Sequence, residues 1–276
     1  MLRLIGVGDN VVDCNYTTGI MYPGGNSLNF SVYGRQLGHE TAYAGVLGTD
    51  IQADMVVHAL EDKGVDISRC VRVQGETGIC GIRLKDGDRT ITDENDAGVV
   101  KSHPLQITEE LLEYIKTFDV VHSSCFSHIE DQLVKIRETG VPLLYDFSDV
   151  WEEKDLAAVC PDITIAFFSG KDLGEEKLKE LLHRRYNVKV RMPMLKGIND
   201  SREEIDRVIQ FLMPFRDYKN FKGIDLLPYH KMGVNKYNQL DRPYPIDGDP
   251  SLSDEDLSRI EGWLKEYQFP VTVVRH

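Results

Sequence analysis

Two glycines and two asparagines in Pro23-Gly24-Gly25-Asn26-Ser27-Leu28-Asn29-Phe30 open an amphipathic stretch that ends at Leu37-Gly38. Glycine lets backbone approach a ligand closely, and free amides at a helix N-terminus attract an electron-rich group such as a sugar hydroxyl or a phosphate. Asn26 and Asn29, three residues apart, fall on one face of the first turn. A glycine turn capped by asparagine explains the same residues with no ligand at all. The segment Gly8-Asp9-Asn10-Val11-Val12-Asp13 tilts the balance. It follows the first apolar run, placing Asp9 and Asp13 where strand ends of an open α/β sheet meet a ligand. Carboxylates and amides together suit a polyol, although a single Asp after a strand is more often a turn former.

Other chemistry is excluded by type and spacing. The five cysteines, Cys14, Cys70, Cys80, Cys125 and Cys160, are widely spaced and form no Cys-x-x-Cys pair. Reduced, mostly buried thiols are expected, with no disulfide framework, no zinc site and no iron-sulfur cluster. With 45 Asp+Glu against 32 Lys+Arg the net charge is −13, a field that repels nucleic-acid backbones and anionic lipid surfaces. No apolar run reaches the roughly 18 residues of a spanning helix, and the opening Met1-Leu2-Arg3-Leu4-Ile5-Gly6 reads as a strand rather than a signal peptide. A cytoplasmic location is the resulting expectation.

The elements that must hold these residues are legible as an alternation. Its 276 residues suffice for one large α/β domain or two modest ones. Strands are predicted at 3–7, 42–46, 120–123, 142–147, 163–168, 188–195, 223–229 and 271–274, with helices between them, the pattern of a mostly parallel sheet with crossover helices. Ser201 with Glu204, and Ser253 with Asp256, have the spacing of reciprocal helix caps. β-like segments at 77–84 and 89–93 flank Lys85-Asp86-Gly87-Asp88, whose Asp-Gly favours a tight hairpin. A small β element of this kind would be a lid, or a dimer contact through its open edges. The stretch 231–250 reads as a long surface loop.

Taken together, these motifs resemble the ribokinase/PfkB carbohydrate kinases, and within that family the fructoselysine 6-kinase type. The resemblance rests on Gly8-Asp9-Asn10 with Asp13, on Gly24-Gly25-Asn26 with Asn29 and Leu37-Gly38, and on Gly45 to Asp50. It continues through Leu60 to Ile67, the hairpin from Thr77, and Tyr145-Asp146-Phe147-Ser148-Asp149 with Trp151, covering residues 1–182. It implies a three-layer αβα fold of ribokinase type with a mostly parallel sheet and a small β lid at 73–98. It also implies a sugar or fructosamine pocket lined by Asp9, Asp13, Gly24, Gly25, Asn26 and Asn29, the use of ATP and Mg²⁺, and a homodimer formed through the lid. The family's Gly-Ala-Gly-Asp turn, which supplies the anion hole and the base, is absent; the nearest combinations are Gly197-Ile198-Asn199-Asp200 and Gly248-Asp249. Ser169-Gly170-Lys171-Asp172 stands where the family has Asn-x-x-Glu.

From residue 183 to 276 the sequence is similar instead to the C-terminal part of glycyl-radical-enzyme activases of the radical S-adenosylmethionine superfamily. Val190 to Asp200 and the run Leu226-Leu227-Pro228-Tyr229-His230 to Tyr237 carry that resemblance. It implies βα units from a partial (β/α) barrel in which Arg191 and His230 would help hold S-adenosylmethionine. The Cys-x-x-x-Cys-x-x-Cys cluster loop of those enzymes is missing. The seam lies within the helix 175–185, whose Leu178, Leu181 and Leu182 keep helical spacing across it. The chain is thus expected to be a folded chimera in which the grafted units continue the kinase sheet. A residual sugar pocket with little or no catalysis is expected, because two large catalytic contributions are missing. The alternative is a working kinase in which Asp200 substitutes as base; an S-adenosylmethionine-binding remnant ranks last.

Overall fold

The computed structural model describes residues 1–85, 88–170, 174–183, 186–230 and 248–274; for residues 84, 85, 88–95, 153 and 175 it describes the backbone only. The tip Asp86-Gly87 of the expected hairpin, and most of the expected loop at 231–250, lie outside the described residues. The chain divides into two compact units, 1–171 and 172–276.

In the first unit the order is β1 (Arg3–Gly8), β2 (Val11–Asn15), β3 (Ile20–Gly24), α1 (Asn26–Gln36), β4 (Glu40–Leu47), α2 (Ile51–Asp62) and β5 (Val71–Arg72). Then come β6 (Thr77–Lys85), β7 (Asp88–Gly98), α3 (Val99–Ser102), α4 (Glu109–Ile115), β8 (Val120–Ser124), α5 (Leu133–Glu138), β9 (Leu143–Asp146), α6 (Glu153–Val159) and β10 (Ile165–Phe167). Six strands form one sheet in the order β10-β9-β8-β1-β4-β5, every pair parallel. A parallel sheet needs cover on both faces. On one face Leu28 of α1 and Val56 and Leu60 of α2 pack with Tyr43 and Leu47 of β4. On the other, Ile5, Val7, Val121 and Leu143 are at most 1% exposed. The three-layer ribokinase-like expectation therefore holds.

Gly6 sets how closely α1 lies on β1, since a Cβ there would stand 2.0 Å from the Ser27 carbonyl oxygen. Helix α2 is capped by Asp50, whose carboxylate accepts the Ala53 amide at 2.9 Å. The same carboxylate accepts the Thr77 amide and hydroxyl, each at 2.6 Å, and so ties α2 to the root of β6.

The lid is larger than expected. β6 and β7 form the hairpin, but β2 and β3 join it in a four-stranded sheet, β3-β2-β6-β7. The alternation Val12 buried, Asp13 half-buried, Cys14 buried is the period-two signal that the sequence reading passed over. Asp13 consequently belongs to the lid sheet, between Tyr22 of β3 and Cys80 of β6, and not to the end of a main-sheet strand.

The second unit comprises α7 (Glu175–His183), β11 (Val188–Met194), α8 (Arg202–Leu212), β12 (Phe221–Pro228), α9 (Asp254–Glu266) and β13 (Val271–Val273). Its strands pair in the order β11-β12-β13, all parallel. Among the described residues these three strands are paired with one another. In the core, Leu178 and Leu182 of α7, Ile205, Ile209 and Leu212 of α8, and Leu257, Ile260 and Leu264 of α9 pack on Met194, Ile224 and Leu226. Helix α7, assigned by resemblance to the kinase part, thus buries its apolar stripe in the second unit. Ser253 and Asp256 form the reciprocal cap as expected. Ser201 accepts the Glu204 amide at 3.2 Å, but the Glu204 carboxylate turns to Arg207 at 2.7 Å, so that cap is one-sided. Among the described residues no helix is long and apolar enough to cross a membrane.

Candidate functional site

The site begins at the turn between β3 and α1. Gly25 has φ of 112°, and a Cβ there would lie 2.8 Å from Asn10 Cα and from the Asp9 carbonyl oxygen. Only glycine admits that approach. It lets the chain enter α1 with the Asn26 and Ser27 amides aimed at the Asp9 carboxylate, which accepts both. Asp9 also accepts hydroxyl protons from Ser27 at 2.6 Å, Ser124 at 2.8 Å and Ser127 at 3.1 Å. With five donors and 4% exposure, this carboxylate is consumed by the protein. It caps α1 and ties it to the end of β8.

The remaining residues expected to bind fall into two groups. Asp13, on the lid sheet, stands over the turn, its Oδ2 only 3.3 Å from the point where a Gly24 Cβ would be. Asn26 and Asn29, both half-buried, line a cleft of about 480 Å³ between α1 and the β8–β9 part of the sheet. Phe30, Tyr33, His122 and Asp146 line it too. Sequence reasoning missed these four. An acid at the C-terminal end of a strand pattern was the available signal for Asp146. The aromatic lining left none, because Phe30 and Tyr33 read as ordinary helix residues.

Asp146, at the end of β9, is fixed by its neighbours. Its Oδ1 accepts the Ser148 amide at 2.7 Å, and its Oδ2 receives only a long 3.4 Å contact from Asn26 Nδ2. His122 stacks on Phe30 with ring centroids 4.7 Å apart and an interplanar angle of 12°. It is 8% exposed, and its Nδ1 is buried without a partner. Burial pushes its pKa below the ordinary 6.5, against the pull of the Asp9 and Asp146 charges, so the ring is neutral at pH 7. Beneath the turn, Tyr43 donates to the Gly8 carbonyl at 2.7 Å and accepts from Asn10 at 2.9 Å, fixing the backbone that carries Asp9.

The expected phosphate side shows a different geometry. Asp200 Oδ1 accepts the Gly197 amide at 2.7 Å, and Asn199 Oδ1 accepts the Leu195 amide at 2.8 Å. Two of the loop's amides are thus turned onto its own side chains, and those of Lys196, Ile198 and Asn199 meet the backbone carbonyls of Pro250 and Leu195, so none of these five faces an anion. No group of three or more His, Cys, Asp or Glu placed to hold a metal ion occurs among the described residues. Burial pushes the Cys70 and Cys125 thiols up to about 12, which keeps both protonated.

In the second unit, Arg191 lies mid-strand with its register partner Asp225, Nε to Oδ2 3.8 Å, and Lys189 reaches the same carboxylate at 2.6 Å. His230 is exposed and lies beyond the end of β12.

The model of the pfkB family of carbohydrate kinases matches residues 4–176. The fructosamine kinase FrlD of Bacillus subtilis is 37% identical over 181 residues, covering 65% of this chain and 63% of that enzyme. A 96-residue segment is 57% identical to the choline trimethylamine-lyase activating enzyme of Oleidesulfovibrio alaskensis, covering 35% of this chain and 31% of that protein. The chain therefore spans less than two thirds of either relative. A solved ribokinase structure from Giardia lamblia superposes with a TM-score of 0.55 at 13% identity, over 67% of this chain and 65% of that one. At such identity the likeness speaks for the fold alone.

Proposed function

Since the chain belongs to the pfkB family of carbohydrate kinases, we propose that its first unit binds a sugar or fructosamine and that the chain transfers phosphate to it little or not at all. The observation that carries this reading is the convergence at the start of α1. Asp13 stands over Gly24, and the side chains of Asn26 and Asn29 open into the adjoining cleft, held there by the Asp9 carboxylate. Polyol hydroxyls both donate and accept, and carboxylate and amide groups answer both.

The low transfer activity follows from two features. The Gly-Ala-Gly-Asp turn is absent from the sequence, and Asp200, the possible substitute base, spends an oxygen on its own loop. Base and anion hole each contribute on the order of 10²–10⁴ in rate. ATP and Mg²⁺ belong to the alternative in which turnover survives.

Titration calorimetry with fructose or fructoselysine tests the pocket. Binding that disappears in Asp13→Ala supports it; heats at the dilution level in the unmodified chain would refute it. Within the same reading the chain is cytoplasmic and pairs with a second copy through the lid. Open lid strand β3, with Ile20 and Met21 exposed, supports that pairing, and sedimentation of the chain at micromolar concentration tests it.

A further inference from the structure

The cleft beside α1 contains an acid that has no counter-ion among the described residues. Asp146 is half-buried, its Oδ1 is satisfied by Ser148, and its Oδ2 has only the 3.4 Å contact with Asn26. Among the described residues no lysine or arginine lines the cleft. His39 lies at the far end, engaged with the Leu2 amide at 3.2 Å. His122, beside Asp146 in the wall, is more than nine-tenths buried, neutral, and has an unpartnered Nδ1. A half-buried carboxylate oxygen without a full set of hydrogen bonds is open to a charge-assisted bond from a cationic donor on a ligand. Phe30 and Tyr33 add aromatic carbon to the same wall. The cleft begins at Asn26 and Asn29, so a ligand held by their amides has its next group beside Asp146.

We propose that Asp146 is a specificity-determining residue that reads charge on the ligand, selecting a sugar that bears a protonated amine over a neutral hexose and rejecting sugar acids and sugar phosphates. This rests on the sugar-binding reading above. A charge-assisted hydrogen bond replaced by a neutral one of the same shape changes affinity by about tenfold or more.

The test is titration of the full chain with fructoselysine, fructose and gluconate, before and after Asp146→Asn. Asparagine keeps an oxygen for the Ser148 amide. Asp146→Ser provides a second, smaller replacement if the first fails to fold. The unmodified chain should bind fructoselysine about tenfold more tightly than fructose, with gluconate weakest. Either variant should bring fructoselysine and fructose to within about threefold of each other. A tenfold preference that persists in the variants, or its absence in the unmodified chain, overturns the role of Asp146 but leaves sugar binding standing. If neither sugar binds the unmodified chain, the inference and the reading beneath it fall together.

Discussion

The Asp9 carboxylate accepts the backbone N–H of Asn26, and the Asn26 side chain points away from it to Asp146, 3.4 Å distant. The two residues thus have opposite duties. Asp9 holds the start of α1 from behind, and Asn26 presents its amide to the cleft.

That division separates stability from binding. Asp9→Ala leaves the Asn26 and Ser27 amides and three serine hydroxyls without their acceptor, and is expected to cost about 3–5 kcal/mol in unfolding free energy. Asp13→Ala, at a half-buried site, should change stability by no more than about 1 kcal/mol while removing sugar affinity. Urea denaturation of both variants distinguishes them, and equal losses would contradict the assignment.

His122 gives a pH signature. Its folded pKa lies below the ordinary 6.5, so between those two values the unfolded chain binds a proton that the folded chain does not. Stability therefore falls as pH is lowered from about 6.5 toward the depressed pKa. In His122→Phe, which keeps a ring against Phe30, that part of the acid loss should vanish. Thermal midpoints between pH 7 and 5 measure it.

Asp50 acts in the opposite acid-base class. Burial works against its charge, but the hydrogen bonds from Thr77 and Ala53 outweigh it and hold its pKa below the usual carboxylate range. The stabilisation is present at neutral pH and is lost as pH falls through the depressed value. Asp50→Ala should cost about 1–2 kcal/mol and detach the root of β6 from α2, seen as faster amide exchange at Thr77.

The membership of α7 in the second unit is also testable. Leu178→Ala is expected to cost about 2–5 kcal/mol and to accelerate hydrogen exchange in β11, β12 and β13 while leaving β1, β4 and β8 unchanged. Faster exchange in β8 and β9 instead would place the helix with the first unit.

How much of this was legible follows from which physical signals are local. All eight expected strands are present, because buried parallel strands concentrate apolar residues in short runs between helical patterns. β2 and β3 escaped notice: Asp13 and Pro23 interrupt their apolar content, and their pairing with β6 is a long-range choice. Gly25, Asn26 and Asn29 were visible as a motif, since a backbone that only glycine can adopt leaves a mark in the sequence. Asp9 was visible as a candidate, but its surroundings were not. Nothing in one dimension distinguishes a carboxylate that faces a ligand from one enclosed by Ser27, Ser124 and Ser127, the last two more than a hundred residues away. The cleft residues His122 and Asp146 meet Asn26 and Phe30 only because β8 lies beside β1, and β9 beside β8, in the sheet.

On the function proposed for the first unit, sugar is bound without efficient phosphoryl transfer. The most direct measurement is a single experiment on the full chain with fructoselysine, ATP and Mg²⁺, following sugar binding by calorimetry and phosphorylated sugar by mass spectrometry. The account predicts saturable binding, abolished by Asp13→Ala, with no phosphorylated product above that of the sugar and ATP alone. Steady sugar-dependent turnover that is lost in Asp200→Ala would contradict it.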